Sequence, residues 1–259
     1  MAQPSAVVHY PRRVRNELRF RQLTVLRCED IAPALRRIVL GGPDLDGFSS
    51  DGFDDHCKLF FPAPGQVLTP PQVTESGIVW PGDVRPAGRD YTPLFDRERQ
   101  ELAFDFYLHD AGVACQWARD AVPGAPLIIG GPRGSLLVPV EYHWQLYVCD
   151  ESGLPALRRR LETIAASGQR PAVRALVSLY DMASQAYLDG LAPWADISWF
   201  AAGDEASLAE QLAQITVPAQ DYFVWITGEG KQVKRLSAPL EAQLDPQLLR
   251  AAAYWHIKP

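Results

Sequence analysis

The apolar residues of this chain change their spacing near Val140, and this change limits the possible folds more than any other feature. Beyond Val140, short apolar runs that suit buried strands alternate with stretches of helical periodicity. Such alternation is typical of a mainly parallel sheet that helices cover on both faces. We expect strands at 144–149, 173–179, 197–200, 221–226 and 251–257, and helices at 154–166, 204–215 and 230–244.

The part before Val140 contains many short strand patterns separated by turns. Leu102, Phe104 and Phe106 alternate with more polar neighbours, as a half-buried strand requires. This rhythm favours an antiparallel Greek-key β-barrel, closed and capped by one helix at 113–121. The predicted domains are therefore 16–139 and 140–259, behind a loose tail that ends near Arg15.

Composition excludes several classes of protein. The formal net charge of −6 argues against a general nucleic-acid binder, although a local basic patch remains compatible with it. The four cysteines lie far apart without a Cys-x-x-Cys pair, so we expect reduced thiols and no metal site. We find no apolar run of signal-peptide or membrane-spanning length, and we expect a cytoplasmic protein without membrane insertion.

Three segments in the middle of the chain contain groups that could each contact a different part of one ligand. They are Arg89-Asp90-Tyr91-Thr92, Gly112-Val113-Ala114-Cys115 and Gly130-Gly131-Pro132-Arg133-Gly134. An arginine fork suits a pyrophosphate oxygen, and a tyrosine ring can stack on an isoalloxazine. Small residues at a helix start let backbone N–H groups approach a diphosphate. Their order along the chain therefore favours a site for a flavin dinucleotide.

The same segments resemble those of the siderophore-interacting proteins, which are FAD-dependent ferric-siderophore reductases of the ferredoxin-reductase superfamily. The resemblance covers nearly the whole chain, and it implies a ferredoxin-reductase-like fold with an FAD-binding barrel and an NAD(P)H-binding-like α/β domain. Leu94, Cys115 and His256 depart from it, where the family often carries arginine, serine and arginine. The matching segments are 54–62, 89–92, 105–109, 112–117, 131–134, 150–156, 225–229 and 254–255.

The resemblance implies a set of cofactor-binding residues around the flavin. His109 has two interpretations, a contact with the adenosine half of FAD or a purely structural role. Trp117 is expected to pack the helix rather than bind a ligand. The implied cofactor residues are Arg89, Asp90, Tyr91, Thr92, Asp105, His109, Gly112, Val113, Ala114, Cys115, Gly131 and Arg133.

The α/β part lacks the glycine fingerprint of dinucleotide-binding folds, because Asp150-Glu151-Ser152-Gly153 follows its first strand. Ligands of such sheets bind beyond the carboxyl ends of the strands. We therefore expect a rim formed by 150–155, 179–181 and 227–230, facing the flavin ring. Its nicotinamide-side residues are predicted to be Asp150, Glu151, Ser152, Gly228 and Glu229.

Basic residues near the end of the chain form a second candidate set. Lys231, Lys234 and Arg235 share one helical face by their spacing, and His256 and Lys258 follow. One interpretation is an ordinary solvated face. The other is a binding patch for an anionic ferric siderophore.

We expect FAD to accept electrons from NADH, NADPH or a reduced ferredoxin and to reduce a siderophore-bound ferric ion. Outer-sphere transfer needs no protein acid or base, so no catalytic residue is assigned. Two alternatives remain, an NAD(P)H-flavin oxidoreductase with another acceptor and a non-catalytic ferric-siderophore binding protein. The Pro- and Gly-rich stretch 62–88 is either a lid over the flavin or an insertion without a role.

Overall fold

The computed structural model describes residues 9–63, 65–75, 77–82, 85–109 and 112–257. The chain divides into two compact units. The N-terminal unit is Arg13–Leu136, and the C-terminal unit comprises 137–257 together with 9–12 among the described residues.

Antiparallel strands and one helix build the N-terminal unit. Seven strands form one sheet in the order β7-β4-β10-β2-β3-β9-β8, and this sheet curls into a half-barrel with β7 and β8 at its two ends. The predicted fold class is confirmed, although the sheet is curled rather than hydrogen bonded into a closed ring among the described strands. The elements are β1 (Arg12–Arg15), β2 (Phe20–Ala32), β3 (Leu35–Gly41), β4 (Cys57–Phe61), β5 (Gln72–Thr74), β6 (Gly77–Val79), β7 (Ala87–Tyr91), β8 (Leu94–Asp96), β9 (Glu101–Tyr107), α1 (Val113–Asp120), β10 (Pro126–Gly130) and β11 (Gly134–Leu137).

Two local predictions for this unit are wrong. The expected strand from Tyr91 to near Phe95 is divided between β7 and β8, because Pro93 lies in the gap and has no N–H group for a sheet ladder. The tail was expected to be loose up to Arg15, but Arg12–Arg15 form β1. Their partner is β11, which is more than a hundred residues away in the sequence. No local sequence pattern could therefore predict this pairing.

The core of the N-terminal unit lies between the curled sheet and α1. Leu102, Phe104 and Phe106 are all fully buried, as the alternation in β9 predicts. The strand is not half-buried as expected, because Ala103 and Asp105 on its other face are buried too. Trp117 of α1 packs its ring 5.5 Å from that of Phe61 and 5.8 Å from that of Phe106. The predicted packing role of Trp117 is therefore confirmed, and α1 is fixed against the sheet by apolar contacts.

The Pro- and Gly-rich stretch between β4 and β7 is anchored to the outer face of the sheet. It contains the hairpin of β5 and β6, and Trp80 follows that hairpin. The Trp80 ring lies 4.7 Å from that of Phe60 and 6.1 Å from that of Phe20. Its predicted role as a lid stays a prediction.

The C-terminal unit is a five-stranded parallel sheet in the order β14-β13-β12-β15-β16. Arg160 of α2 contacts Gln145 and Tyr147, while Val233 of α4 lines a small cavity with Val148. Because side chains alternate along β12, these helices cover opposite faces, as predicted. The elements are β12 (Trp144–Cys149), α2 (Leu154–Ser167), β13 (Ala172–Leu179), β14 (Asp196–Ala201), α3 (Glu205–Gln214), β15 (Tyr222–Glu229), α4 (Gly230–Glu241) and β16 (Leu249–Trp255), with 3₁₀ segments at Glu151–Gly153 and Met182–Trp194.

The strand order has a topological switch point between β12 and β15. From β12 the chain crosses to β13 and β14 on one side, and it returns to β15 and β16 on the other. Ligands of open parallel sheets bind beyond the carboxyl ends of the strands at such a point. The turn after Cys149 and the turn after Glu229 therefore flank the place where a ligand is expected.

Candidate functional site

Strand β7 presents the first candidate residues along an edge of the curled sheet. Arg89 is exposed, and its Nη1 donates to the neighbouring Gly88 carbonyl at 2.8 Å. No carboxylate pairs with Arg89 among the residues that the structure describes. Asp90 instead pairs with Lys58 Nζ at 2.7 Å, where both side chains are half exposed. The guanidinium of Arg89, which bonds only to a neutral carbonyl in the described chain, suits an anionic group, whereas the carboxylate of Asp90 already has a cation.

Tyr91 joins this edge to the core. Its ring lies 4.4 Å from that of Phe106, which also contacts Trp117. Burial raises the pKa of the Tyr91 phenol, the nearby Cys115 raises it further, and Arg89 opposes the effect. Thr92, the next residue, is also buried. Phe106 thus links the β7 motif to α1, and Tyr91 remains a neutral phenol at physiological pH.

Among the described residues, no side chain caps the first N–H groups of α1. Gly112 is the N-cap, with a φ of 110° that favours glycine. A Cβ atom on Gly112 would meet only His109 Cε1 within 4 Å, at 3.6 Å, among the described atoms. Cys115 is buried and its Sγ donates to the Tyr107 carbonyl at 3.3 Å, so its side chain is turned away from the open space. Any ligand contact of Cys115 would come from its main chain.

Asp105 and His109 are held by other parts of the N-terminal unit. The Asp105 side chain is 0% exposed and forms two hydrogen bonds with Arg37, at 2.7 Å and 2.8 Å. The His109 ring stacks on Tyr107, and the main-chain carbonyl of His109 accepts a hydrogen bond from Arg119 Nη2 at 2.7 Å. The Asp105 carboxylate thus already accepts two hydrogen bonds from Arg37. The predicted contacts of Asp105 and His109 with the cofactor stay predictions.

Gly131 and Arg133 form a turn after β10. Gly131 has a φ of 97°, its N–H donates to the Arg19 carbonyl at 3.1 Å, and its carbonyl accepts from Arg21 Nη1 at 3.3 Å. A Cβ atom at this position would lie 3.2 Å from the Arg133 nitrogen. Arg133 itself is exposed. Glycine is needed here for the turn. No described carboxylate pairs with the Arg133 guanidinium, which could therefore contact an anion.

In the C-terminal unit, Asp150 lies at the end of β12, beside the switch point. Its Oδ1 accepts from the Ser152 N–H at 2.9 Å, and its Oδ2 accepts from Trp255 Nε1 at 2.7 Å. Burial raises the pKa of Asp150, although hydrogen bonds from Ser152 and Trp255 oppose it. Trp255 was not among the predicted site residues. The resemblance of Tyr254-Trp255 to a closing family motif was the only sequence signal for it.

Two further carboxylates lie on the same rim. Glu151 is buried, and this burial raises its pKa to about 7 even though its Oε1 accepts from the Tyr180 N–H. Glu229 caps α4, and its Oε2 accepts from Lys231 N at 2.7 Å and Gln232 N at 3.0 Å. Desolvation opposes these bonds, but they lower the pKa of Glu229 below its ordinary value. The predicted nicotinamide-side residues thus gather at one rim, and their binding role stays a prediction.

The predicted cationic set lies at the start of α4. Lys231, Lys234 and Arg235 are all exposed, and Arg235 pairs with Glu205. No ion pair involves Lys231 or Lys234 within the described ranges. His256 covers Gly230, because a Cβ atom there would overlap the histidine ring. Lys258 lies outside the described residues.

Nowhere in the described residues do three or more His, Cys, Asp or Glu side chains cluster so that they could hold a metal ion. In the same part of the chain, no helix combines the length and the apolar character needed to cross a membrane.

Comparison with known proteins places both units in one family. Residues 24–136 match the siderophore-interacting FAD-binding domain, and residues 142–258 match the siderophore-interacting protein domain. The chain belongs to the siderophore-interacting protein family. The predicted family, the FAD-binding domain and the flavin-dependent oxidoreductase class are confirmed.

Individual relatives agree with this assignment. The chain is 61% identical over 250 residues to the NADPH-dependent ferric-chelate reductase of Escherichia coli, covering 96% of this chain and 98% of the relative. It is 26% identical to the ferric vibriobactin reductase ViuB of Vibrio cholerae, covering 91% of this chain and 89% of ViuB. The crystal structure of a siderophore utilization protein from T. fusca superposes with a TM-score of 0.83 at 32% identity, covering 95% of this chain and 96% of the other.

The residues of this siderophore-interacting protein fit an FAD diphosphate. Within the described part of the chain, the Arg89 guanidinium has no carboxylate partner, and the start of α1 has no side-chain cap and has space above Gly112. Both features attract a negatively charged group. FAD supplies the chemistry of hydride acceptance and one-electron donation when it is bound.

Proposed function

We propose that this siderophore-interacting protein is a ferric-chelate reductase that uses NADPH and FAD to reduce the iron of a ferric siderophore. The observation that carries this proposal is the 61% identity to an NADPH-dependent ferric-chelate reductase across nearly the full length of both chains. The likeness to ViuB, a ferric vibriobactin reductase, favours a siderophore as the physiological chelate. In this proposal, residues 16–139 hold FAD and residues 140–259 receive the electron donor.

The N-terminal unit would hold FAD through three groups of atoms. Arg89 would pair with the diphosphate, and the main-chain N–H groups of Val113, Ala114 and Cys115 would donate to it. Tyr91 would stack on the isoalloxazine, since its ring is fixed by Phe106 and its phenol stays neutral. No described side chain caps α1, which supports the second contact, and no described carboxylate pairs with Arg89, which supports the first.

The proposed reaction requires little acid–base catalysis from protein side chains. Reduction of Fe(III) by outer-sphere transfer requires close approach of chelate and flavin, without proton transfer by a side chain. Ferrous iron is held weakly by hard oxygen donors, so reduction favours its release. The cytoplasmic location of this release stays a prediction from the sequence.

The start of α4 would attract the ferric siderophore. Lys231 and Lys234 are exposed cations without an ion-pair partner in the described chain, and His256 covers the first turn beside them. Many ferric siderophores carry a net negative charge, which such a patch attracts over a distance set by salt. Arg235 would contribute less, because Glu205 already neutralises it.

The decisive experiment follows electrons through the purified protein under anaerobic conditions. The absorption spectrum reports bound flavin, and mixing with NADPH, NADH or reduced ferredoxin in parallel identifies the donor. Addition of a ferric siderophore to the reduced protein should then restore the oxidised flavin spectrum and release ferrous iron to a chelating dye. Reduced flavin that persists after addition of the ferric chelate, but reacts with another acceptor, would refute the proposal. A colourless protein that only binds the chelate would refute it as well.

A further inference from the structure

The carboxyl end of β13 presents an aromatic ring to solvent. Tyr180 follows β13 directly, and 67% of its surface is exposed. No described side chain stacks on its ring or bonds to its phenol oxygen. Met182, two residues later, is also exposed. Because ligands of a parallel sheet bind beyond the carboxyl ends of its strands, this ring is in a position to stack on a planar ligand.

The main chain that carries this ring is held by hydrogen bonds on both sides. The Tyr180 N–H donates to Oε1 of the buried Glu151. Asp181 Oδ1 accepts from the Ala183 N–H at 2.9 Å, and the Asp181 carbonyl accepts from the Ser184 N–H at 2.9 Å. Ser184 is fully buried, so the turn is anchored in the unit. The ring is therefore exposed on a fixed main chain, and stacking on it costs little conformational entropy.

The turn after the neighbouring strand leaves space beside this position. β14 pairs with β13 so that Ala201 lies opposite Leu179, and the Ala202 N–H donates to the Leu179 carbonyl at 2.7 Å. Gly203 follows with a φ of 95°, and a Cβ atom there would have no described atom within 4 Å apart from its chain neighbours. Small residues at this turn therefore allow a flat group to lie beside the Tyr180 ring.

The strand order indicates which part of a dinucleotide reaches this place. β13 and β14 lie on one side of the switch point, and β15 and β16 lie on the other. A dinucleotide bound across such a crevice has its two halves on opposite sides. The family resemblance assigns Gly228 and Glu229, at the end of β15, to the nicotinamide side. The side of β13 and β14 then remains for the adenosine half.

The start of α3, just beyond Gly203, is acidic, although its carboxylates already have partners. Asp204 Oδ1 accepts from the Ser207 N–H at 3.3 Å, and Glu205 pairs with Arg235. Such surroundings disfavour an additional anion and are compatible with an uncharged ring system. Adenine is planar and uncharged at physiological pH, and bases commonly bind proteins by stacking on aromatic side chains.

We propose that Tyr180 binds the electron donor and that its ring stacks on the adenine of NADPH. This inference rests on the proposed function, because NADPH is the donor of that reaction. NADPH and NADH carry the same adenine, so Tyr180 strengthens the binding of both by the same factor. The preference for NADPH then comes from contacts with its 2′-phosphate, which stacking on the adenine leaves accessible.

The first test compares donors with and without adenine on the full FAD-loaded protein. Anaerobic flavin reduction is followed with NADPH, with NADH and with reduced nicotinamide mononucleotide, which lacks the adenosine half. In Tyr180→Ala, the second-order rate constants for NADPH and NADH should fall by the same factor of at least about five, as expected for the loss of a ring stacked on a base. The rate constant for the mononucleotide should stay within about twofold of wild type.

Three outcomes of this test would overturn the proposal. They are a smaller fall with NADPH, a fall confined to NADPH, and an equal fall with reduced nicotinamide mononucleotide. The first would show that the ring does not contact the donor, and the second would assign Tyr180 to the 2′-phosphate. The third would show that the substitution acts on the nicotinamide side or on the fold.

Two further variants separate stacking from other effects. Tyr180→Phe keeps the ring and removes only the hydroxyl, so all three rate constants should stay within about twofold of wild type. A loss as large as that of Tyr180→Ala would overturn the stacking contact. The matched control is Tyr10→Ala, because Tyr10 is an exposed tyrosine of the same unit and its phenol bonds to Asp245, before β16 at the amino ends of the strands. It should leave all three rate constants unchanged.

The last measurement involves no electron transfer. Calorimetric titration of the FAD-loaded wild-type protein with 2′,5′-ADP, which carries adenosine without nicotinamide, should show saturable binding. Tyr180→Ala should raise its Kd at least about fivefold, and Tyr180→Phe should not. An unchanged Kd in Tyr180→Ala, or no saturable binding to the wild-type protein at millimolar concentration, would overturn the proposal. The reductase proposal fails separately, if flavin reduced by dithionite does not reduce the ferric siderophore, so either proposal can fail while the other stands.

Discussion

The pairing of Asp105 with Arg37 separates a structural role from a cofactor role at a residue that the family resemblance assigns to FAD. The Asp105 side chain is 0% exposed, that of Arg37 is 23% exposed, and two hydrogen bonds of 2.7 Å and 2.8 Å join them between β3 and β9. Removing one partner of a buried ion pair commonly costs about 3–5 kcal/mol. Asp105→Asn keeps the volume and one acceptor oxygen, so we expect a loss of about 3 kcal/mol.

This loss should be visible in thermal unfolding of the N-terminal unit. For a domain of this size, about 3 kcal/mol corresponds to a fall in Tm of roughly 10 °C. The matched control is Asp30→Asn, because Asp30 pairs with Arg36, the neighbour of Arg37, yet its side chain is 72% exposed. A surface pair of this kind contributes at most about 1 kcal/mol, so the control should lose only a few degrees.

The assay follows circular dichroism during unfolding of the flavin-free protein, so that differences in flavin affinity do not enter the comparison. The FAD content of each variant after dialysis is measured separately. We expect Asp105→Asn to unfold earlier while it retains flavin at native temperature. If Asp105→Asn has the same unfolding temperature as Asp30→Asn but loses its flavin on dialysis, Asp105 is a cofactor ligand. The structural reasoning is then refuted.

Four further predictions concern the flavin site, the rim and the cationic patch. Arg89→Ala should lower FAD occupancy after dialysis, because it removes a charge-assisted contact worth about 1.5–3 kcal/mol, and full retention would contradict this. Leu94→Arg should tighten FAD binding in a fluorescence titration, whereas unchanged affinity would show that this position does not face the cofactor. The pKa of Glu151 is raised to about 7 by burial, so Glu151→Gln should stabilise the C-terminal unit by at most about 3 kcal/mol at about pH 8. That gain should vanish as the pH falls below about 4.5, where the carboxyl is protonated in both states, and a constant gain in urea unfolding would contradict it. Neutralising Lys231 and Lys234 together should raise KM for an anionic ferric siderophore at low salt and leave KM for a neutral chelate unchanged. An equal rise in KM for both chelates would show that these lysines form only a solvated helix face.

The alternation of apolar residues was enough to predict the architecture. In β9, Leu102, Phe104 and Phe106 point to the core because successive side chains of a strand face opposite sides. Strand–helix alternation after Val140 predicted the parallel sheet, and a parallel connection places the residues after β12 and β15 on one rim. These features depend on local periodicity and on connection rules, and both can be read along a single chain.

The partners of the polar side chains were decided by the tertiary structure alone. Asp105 meets Arg37 across 68 positions, and Asp150 meets Trp255 across 105. The sequence presented Asp150 as a residue of the nicotinamide side, but only the fold revealed that its carboxylate accepts from Ser152 and Trp255. A side chain's partners depend on which strands become neighbours and on the register between them, and a one-residue shift would turn each group to the other face. Motifs therefore indicated where the chemistry is located, whereas long-range pairing determined which of their polar atoms remain available to a ligand.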